Sequence, residues 1–253
     1  MLKTIRSALL GAVLAGAALV APAQALTAQQ KTEFETLIRD YILKNPELIQ
    51  EALIELERRQ KEAENAARLK VIKDPNGPLL ASKFNFVVGN PKGDVTLVEF
   101  FDYNCGFCKR ALGDMQRLVK EDANLRIVVK DFPILSAGSR EAAAVALAVK
   151  QQVKPEKFWE FHVTLMSRSG QIGRAQALEA AKAIGADVAR IETDMGKPEV
   201  AAAIEEARGL ADALGLTGTP SYIVGDEVVV GAVGYEQLKG RIDSLRRCGK
   251  TQC

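Results

Sequence analysis

The chain has 253 residues, with 34 Lys and Arg against 32 Asp and Glu, one histidine and four cysteines. The near balance of charge, without a basic block carrying interleaved aromatics, excludes nucleic acid as a partner and gives no electrostatic reason for a membrane-surface role. Substrates are therefore expected to be recognised through backbone and apolar contacts.

Met1-Leu2-Lys3-Thr4-Ile5-Arg6 precedes an apolar run at 8–20 and then Ala21-Pro22-Ala23-Gln24-Ala25. A basic end, a hydrophobic stretch and an Ala-x-Ala signal predict a secretory signal peptide over 1–25, cut after Ala25. The apolar run is shorter than the roughly 18 to 20 residues that span a bilayer, it ends in Pro22, and no later segment is long and apolar enough. The mature chain is expected to be soluble and exported to a bacterial periplasm, where disulfides form and persist.

Residues 26–73 have helical composition, with no glycine and one proline, Pro46. Thr27 with Gln30 reads as a capping box, and a first helix is predicted over 28–43 with Phe34, Leu37, Ile38, Tyr41 and Ile42 on one face. Asn45 and Pro46 read as the N-cap and first turn of a second helix to about 71, roughly 26 residues and ~39 Å long. Its apolar positions, Ile49, Leu53, Leu56, Ala63, Ala66 or Ala67 and Leu69, recur at near-heptad spacing. A lone arm cannot bury such a stripe, so self-association through 26–73 is expected, with folding back onto the rest of the chain as the alternative. Asp74-Pro75-Asn76-Gly77-Pro78 is strong turn chemistry, and 74–79 is read as a hinge.

Strands are predicted over 84–88, 95–101 and 125–130, with a helix over 109–121. Helices follow over 139–152, 157–166, 175–184, 187–195 and 199–214, then short strands over 221–224 and 227–230 and a closing helix over 235–245. Strand, strand, helix, strand is the order of an α/β sheet, and the helical block is placed as an insertion at about 137–214 inside a domain of 80–247. Residues 248–253 form a tail.

Cys105-Gly106-Phe107-Cys108 falls between the 95–101 strand and the following helix. The first thiol of such a pair meets unpaired helix N–H groups and the positive end of the dipole, which favour a thiolate, while the second lies one turn in and shielded. An attacking and a resolving thiol are the minimum for disulfide exchange. A structural zinc site would need two more ligands, and His162, Cys248, Cys253 and carboxylates are the candidates. A disulfide used only as a staple is a poor use of so short and labile a loop. His162 lies in an aromatic helix and is read as core.

Val98-Glu99-Phe100-Phe101-Asp102-Tyr103-Asn104-Cys105-Gly106-Phe107-Cys108-Lys109 and Gly218-Thr219-Pro220-Ser221-Tyr222 resemble the DsbA-like thiol:disulfide interchange proteins. The resemblance implies a thioredoxin fold, of α/β class, with a helical insertion. Together with the leader and Tyr41-Ile42-Leu43-Lys44-Asn45-Pro46-Glu47, the chain resembles the suppressor of copper sensitivity (ScsC) branch of that group, in which a helical arm joins subunits, a trimer being favoured.

The resemblance implies roles residue by residue. Pro220 is cis and lies against the cysteine pair, and the backbone of Thr219 pairs with an extended substrate segment. Glu99 is a buried acid that takes the proton of Cys108 as it attacks. Gly106 and Phe107 tune the redox poise, and the absence of the histidine typical of strong oxidants implies a milder potential. The implied partners are misfolded or disulfide-containing periplasmic proteins and a membrane electron donor of the ScsB type, with no cofactor beyond the redox-active disulfide.

Disulfide isomerisation or reduction leads the functional reading. The alternatives are a disulfide-introducing oxidase and a Cu(I)-binding protein using Cys105 and Cys108 as soft ligands. Cys248 and Cys253 lie outside the matched residues. A local disulfide is their simplest reading, with stapling, electron relay and metal binding all open.

Overall fold

A computed structural model describes residues 26–253, and the expected signal peptide, 1–25, lies outside the described residues. The chain divides into two compact units between Arg58 and Arg59, a point within a helix.

The first unit holds α1 (Ala28–Lys44) and the beginning of α2 (Glu47–Ile72). The capping box forms: the Gln30 N–H donates to Thr27 Oγ1 at 3.2 Å, and the Thr27 N–H donates to Gln30 Oε1 at 3.0 Å. Asn45 works differently from the sequence reading. Its side-chain amide donates to the Tyr41 carbonyl at 2.8 Å and its backbone N–H also reaches back into α1, so it closes the first helix. A carbonyl-rich helix end satisfies the Asn amide donors better than the start of α2 would. Leu37, Ile38, Tyr41, Leu53 and Leu56 are all more than half exposed.

The second unit is built on one five-stranded sheet in the order β1-β3-β2-β4-β5, from β1 (Phe86–Gly89), β2 (Val95–Phe101), β3 (Leu125–Asp131), β4 (Ser221–Val224) and β5 (Glu227–Val230). β2 and β3 are parallel, and the other pairs are antiparallel. β1 starts two residues later than predicted because Ser82 captures the backbone first. Its Oγ accepts the Phe84 N–H and its carbonyl accepts the Asn85 N–H.

β2 is apolar on both faces, as befits a central strand covered twice. Leu97 and Phe101 join a core with α4 (Gly106–Glu121), α6 (Pro155–Met166) and α10 (Tyr235–Cys248). Val98 and Phe100 join a second core with Leu210 and Leu214 of α9 (Pro198–Leu214), Leu79 of α3 (Pro78–Ala81) and Ile72 at the end of α2. The turn at 74–77, tied by the Asn76 N–H to Asp74 Oδ1, belongs to this second unit.

Between β3 and β4 lie α5 (Ala137–Lys150), α6, α7 (Arg174–Ala183), α8 (Val188–Asp194) and α9, the expected helical insertion. α9 stops at Gly215, whose φ of +69° is the left-handed cap conformation glycine adopts without steric cost. Among the described residues no helix is long and apolar enough to cross a membrane.

Candidate active site

β2 runs out at Phe101 and α4 begins at Gly106, three residues earlier than the composition suggests. The reason is a sulfur cap. Cys105 is the N-cap residue, in extended conformation, and its Sγ accepts the Cys108 N–H at 3.3 Å, the place usually taken by a hydroxyl or carboxylate oxygen. That N–H and the positive end of α4 both face the Cys105 sulfur. Cys105 and Cys108 are both buried, Cys108 the more deeply.

Asp102 and Asn104 hold this turn, and the sequence reading missed both. The Asp102 carboxylate accepts three backbone N–H groups, from Asn104 at 2.8 Å, Ile134 at 2.9 Å and Leu135 at 3.0 Å. Asn104 accepts the Ile172 N–H at 2.6 Å and donates to the Ile172 carbonyl at 2.8 Å and to Ser139 Oγ at 3.1 Å. Lys109 reaches the same loop, donating to the carbonyls of Arg168 and Gly170. Short Asx side chains just ahead of a helix are the available sequence signal for such a turn.

The start of β4 faces the pair. The Thr219–Pro220 peptide is cis, and the Cys105 thiol donates to the Thr219 carbonyl at 3.1 Å. The Ser221 hydroxyl donates to the Gly218 carbonyl at 2.7 Å, and the Gly231 N–H donates to the Pro220 carbonyl at 2.8 Å, fixing this corner from both sides. Thr219 and Pro220 are thus brought to the cysteines from 114 positions away in sequence.

Behind Cys108, Glu99 is 4% exposed and sits on the same face of β2 as Leu97 and Phe101. Burial pushes its carboxyl up to about 8, partly offset by Tyr222. Burial also pushes the Cys108 thiol far up. The Asp102 backbone N–H opposes that shift, whereas the Glu99 charge adds to it. Cys108 is therefore a thiol that needs a nearby base before it can attack.

The residues between the cysteines are unconstrained by packing. A Cβ on Gly106 would meet nothing nearer than Arg110 Nη1 at 3.7 Å, and Phe107 is 58% exposed beneath the Arg110 guanidinium, 4.2 Å from its ring centroid. His162 lies in the core, its Nδ1 3.3 Å from the Tyr103 hydroxyl, and burial pulls it down to about 3. It is a neutral core residue. Cys248 and Cys253 form a disulfide. Among the described residues no group of three His, Cys, Asp or Glu side chains converges as a metal-holding cluster.

Residues 96–243 match the DSBA-like thioredoxin domain family, and residues 30–63 match the copper resistance protein ScsC N-terminal domain. A thioredoxin-like oxidoreductase from Silicibacter pomeroyi is 43% identical, with 67% of this chain and 96% of that one superposed at a TM-score of 0.63. The thiol-disulfide exchange protein alpha-DsbA2 from Wolbachia pipientis is 30% identical over 72% of this chain and 98% of that one, at 0.65. A linker-deletion mutant of Proteus mirabilis ScsC is 25% identical over 85% and 94%, at 0.62. The first curated relatives the chain matches are Na(+)/H(+) antiporters of Salinispora arenicola and Herminiimonas arsenicoxydans, of whose length it spans 24% and 30%. The chain belongs to the DSBA-like thioredoxin domain family and carries an N-terminal region of the ScsC type.

Proposed function

We propose that this chain is a periplasmic protein disulfide isomerase or reductase that works by thiol-disulfide exchange at Cys105 and Cys108. The observation that carries the reading is the sulfur of Cys105 at the N-cap of α4, against the Thr219 carbonyl, with a second thiol one turn in and a buried acid behind it.

The Cys105 thiolate attacks a substrate disulfide, forming the Cys105–substrate bond and releasing the other substrate sulfur, which takes up a proton. If a substrate thiol then attacks the mixed disulfide, Cys105 is released and the substrate is rearranged with no net change in electrons. If Cys108 attacks instead, its proton goes to Glu99, the Cys105–Cys108 disulfide forms, and the substrate leaves with two electrons. Those electrons are restored by a membrane donor of the ScsB type. Thr219 and Pro220 hold the extended substrate segment, and Gly106 and Phe107 set the potential.

The arm, 26–73, joins subunits into a homo-oligomer, a trimer in this reading, through the exposed stripe of α1 and α2. The turn at 74–79 marks where the arm gives way to the catalytic domain, 80–247, with its tail. Export through residues 1–25 places the protein in the periplasm.

A Cu(I) site at Cys105 and Cys108 fits less well. The two sulfurs are suitably soft, but burial keeps Cys108 protonated, and no step above runs through copper. Titration of the reduced protein with Cu(I) against a competing chelator tests that reading. The deciding experiment for the leading one is repair of a scrambled multi-disulfide protein by the mature chain, compared with oxidation of the same protein after reduction. Repair supports isomerase or reductase. Fast oxidation with no repair assigns the chain to the oxidases.

A further inference from the structure

Tyr222 is fully buried, and its hydroxyl has no hydrogen-bond partner of standard geometry. A phenol left unpaired inside a core costs stability that a phenylalanine would not. β4 nevertheless sets it directly opposite Glu99. The cross-strand neighbours of Glu99 are Val129 on β3 and Tyr222 on β4, and Tyr222 is the polar one. α4 contributes Cys108, which faces both groups, and Asp114, which acts on Tyr222. α10, packed against the same strand, contributes the apolar Leu238 and Ile242.

We propose that Tyr222 is a positioning residue for proton transfer, its hydroxyl turning onto the Glu99 carboxylate and so setting the ionised fraction of Glu99 that can take the Cys108 proton. This rests on the reading of Glu99 as proton acceptor.

The chemistry of the pair argues for it. Burial favours the neutral form of Glu99, in which state it accepts no proton, and Tyr222 acts against that burial. A hydroxyl rotates about a single bond and can follow the charge as it appears. The phenol itself keeps its proton, because burial and the negative charges of Glu99 and Cys108 hold it protonated. In the resolving step the Cys108 proton passes to Glu99 and a bond forms between Cys108 and Cys105 sulfurs. The Cys105–substrate bond breaks, and the substrate sulfur leaves as a thiolate and is protonated by solvent. Tyr222 is unchanged at the end.

The test is Tyr222→Phe in the full mature chain, a change that removes the hydroxyl and keeps the ring. Glu99 is titrated in the reduced protein by carboxyl carbon NMR, with Glu99→Gln identifying its resonance. The variant is expected to titrate about one unit higher. The rate at which Cys108 resolves a Cys105–glutathione mixed disulfide should shift to higher pH by the same amount, about tenfold slower on the acid side, with Cys105 alkylation unchanged. Superimposable Glu99 titrations would overturn the inference. A shifted titration with an unshifted resolution profile would leave the hydroxyl contact standing and overturn the acceptor role of Glu99 on which the inference rests.

Discussion

The Cys105 thiol lies 3.1 Å from the carbonyl oxygen of Thr219, so the reactive sulfur and the backbone proposed to hold the substrate meet at one point. In the proposed cycle, deprotonation would remove the donor in that contact and leave the carbonyl to accept a substrate N–H, linking attack and capture through one hydrogen bond. Cys108, by contrast, is held as a thiol by burial. Iodoacetamide at pH 7 is expected to label Cys105 of the reduced protein roughly a hundredfold faster than Cys108, in keeping with thiolate control of reactivity. Peptide mapping of the singly alkylated species checks the order.

Glu99 titrates near 8 in the fold and near 4.5 when exposed. Between those values the folded chain holds a proton that the unfolded chain has released. Its contribution to stability is therefore full below about 4.5 and is lost as pH rises through 8. Glu99→Gln cannot titrate, so it should match the parent in urea at pH 4.5 and exceed it by a few kcal/mol at pH 8. Asp131, pushed by burial up to about 7, contributes a similar slope in both proteins, which the comparison cancels.

Asn104 spans 68 residues to satisfy both backbone groups of Ile172. Asn104→Ala leaves that N–H and C=O without their partner, and Lys109 remains as a tie from the start of α4 to the insertion. A loss of about 1–3 kcal/mol is expected by chemical denaturation. Asn104→Asp keeps the acceptor and loses the donor, and should fall between the two.

The Cys248–Cys253 disulfide is at the other end of the sheet from the cysteine pair. Arg246, two residues before it, bridges Asp94 at the start of β2 and Asp122 at the end of α4, whereas Cys105 follows the end of β2. Seven residues of strand separate these ends by roughly 20 Å. Direct electron relay does not fit that separation, and a tail staple does. Replacing both cysteines by serine is expected to cost about 2 kcal/mol of stability, the scale for so short a loop. It should leave the rate of thiol exchange unchanged.

What could be read from the sequence follows the range of the interactions. The cysteine pair, β2 and the Thr27 capping box depend on neighbours within a few positions, and local pattern carries them. Asp102 and Asn104 carry only a local turn signal, because their distant partners are brought near by tertiary pairing: Ile134 and Leu135 by the β2–β3 pairing and Ile172 by the insertion. Tyr222 read as one more strand residue. Only the β2–β4 register places its hydroxyl opposite Glu99. Asn45 was legible as a helix cap, but periodicity does not say which of two adjoining helix ends an amide serves.

The central claim is that Cys105 attacks protein disulfides and Cys108 releases the product. Cys108→Ser removes the resolving thiol while keeping the N-cap sulfur, so the mature variant mixed with a scrambled disulfide protein should accumulate a covalent adduct. Non-reducing gels and mass spectrometry should place it at Cys105, and Cys105→Ser should form none. Failure of the Cys108→Ser protein to form a dithiothreitol-sensitive adduct would contradict the account.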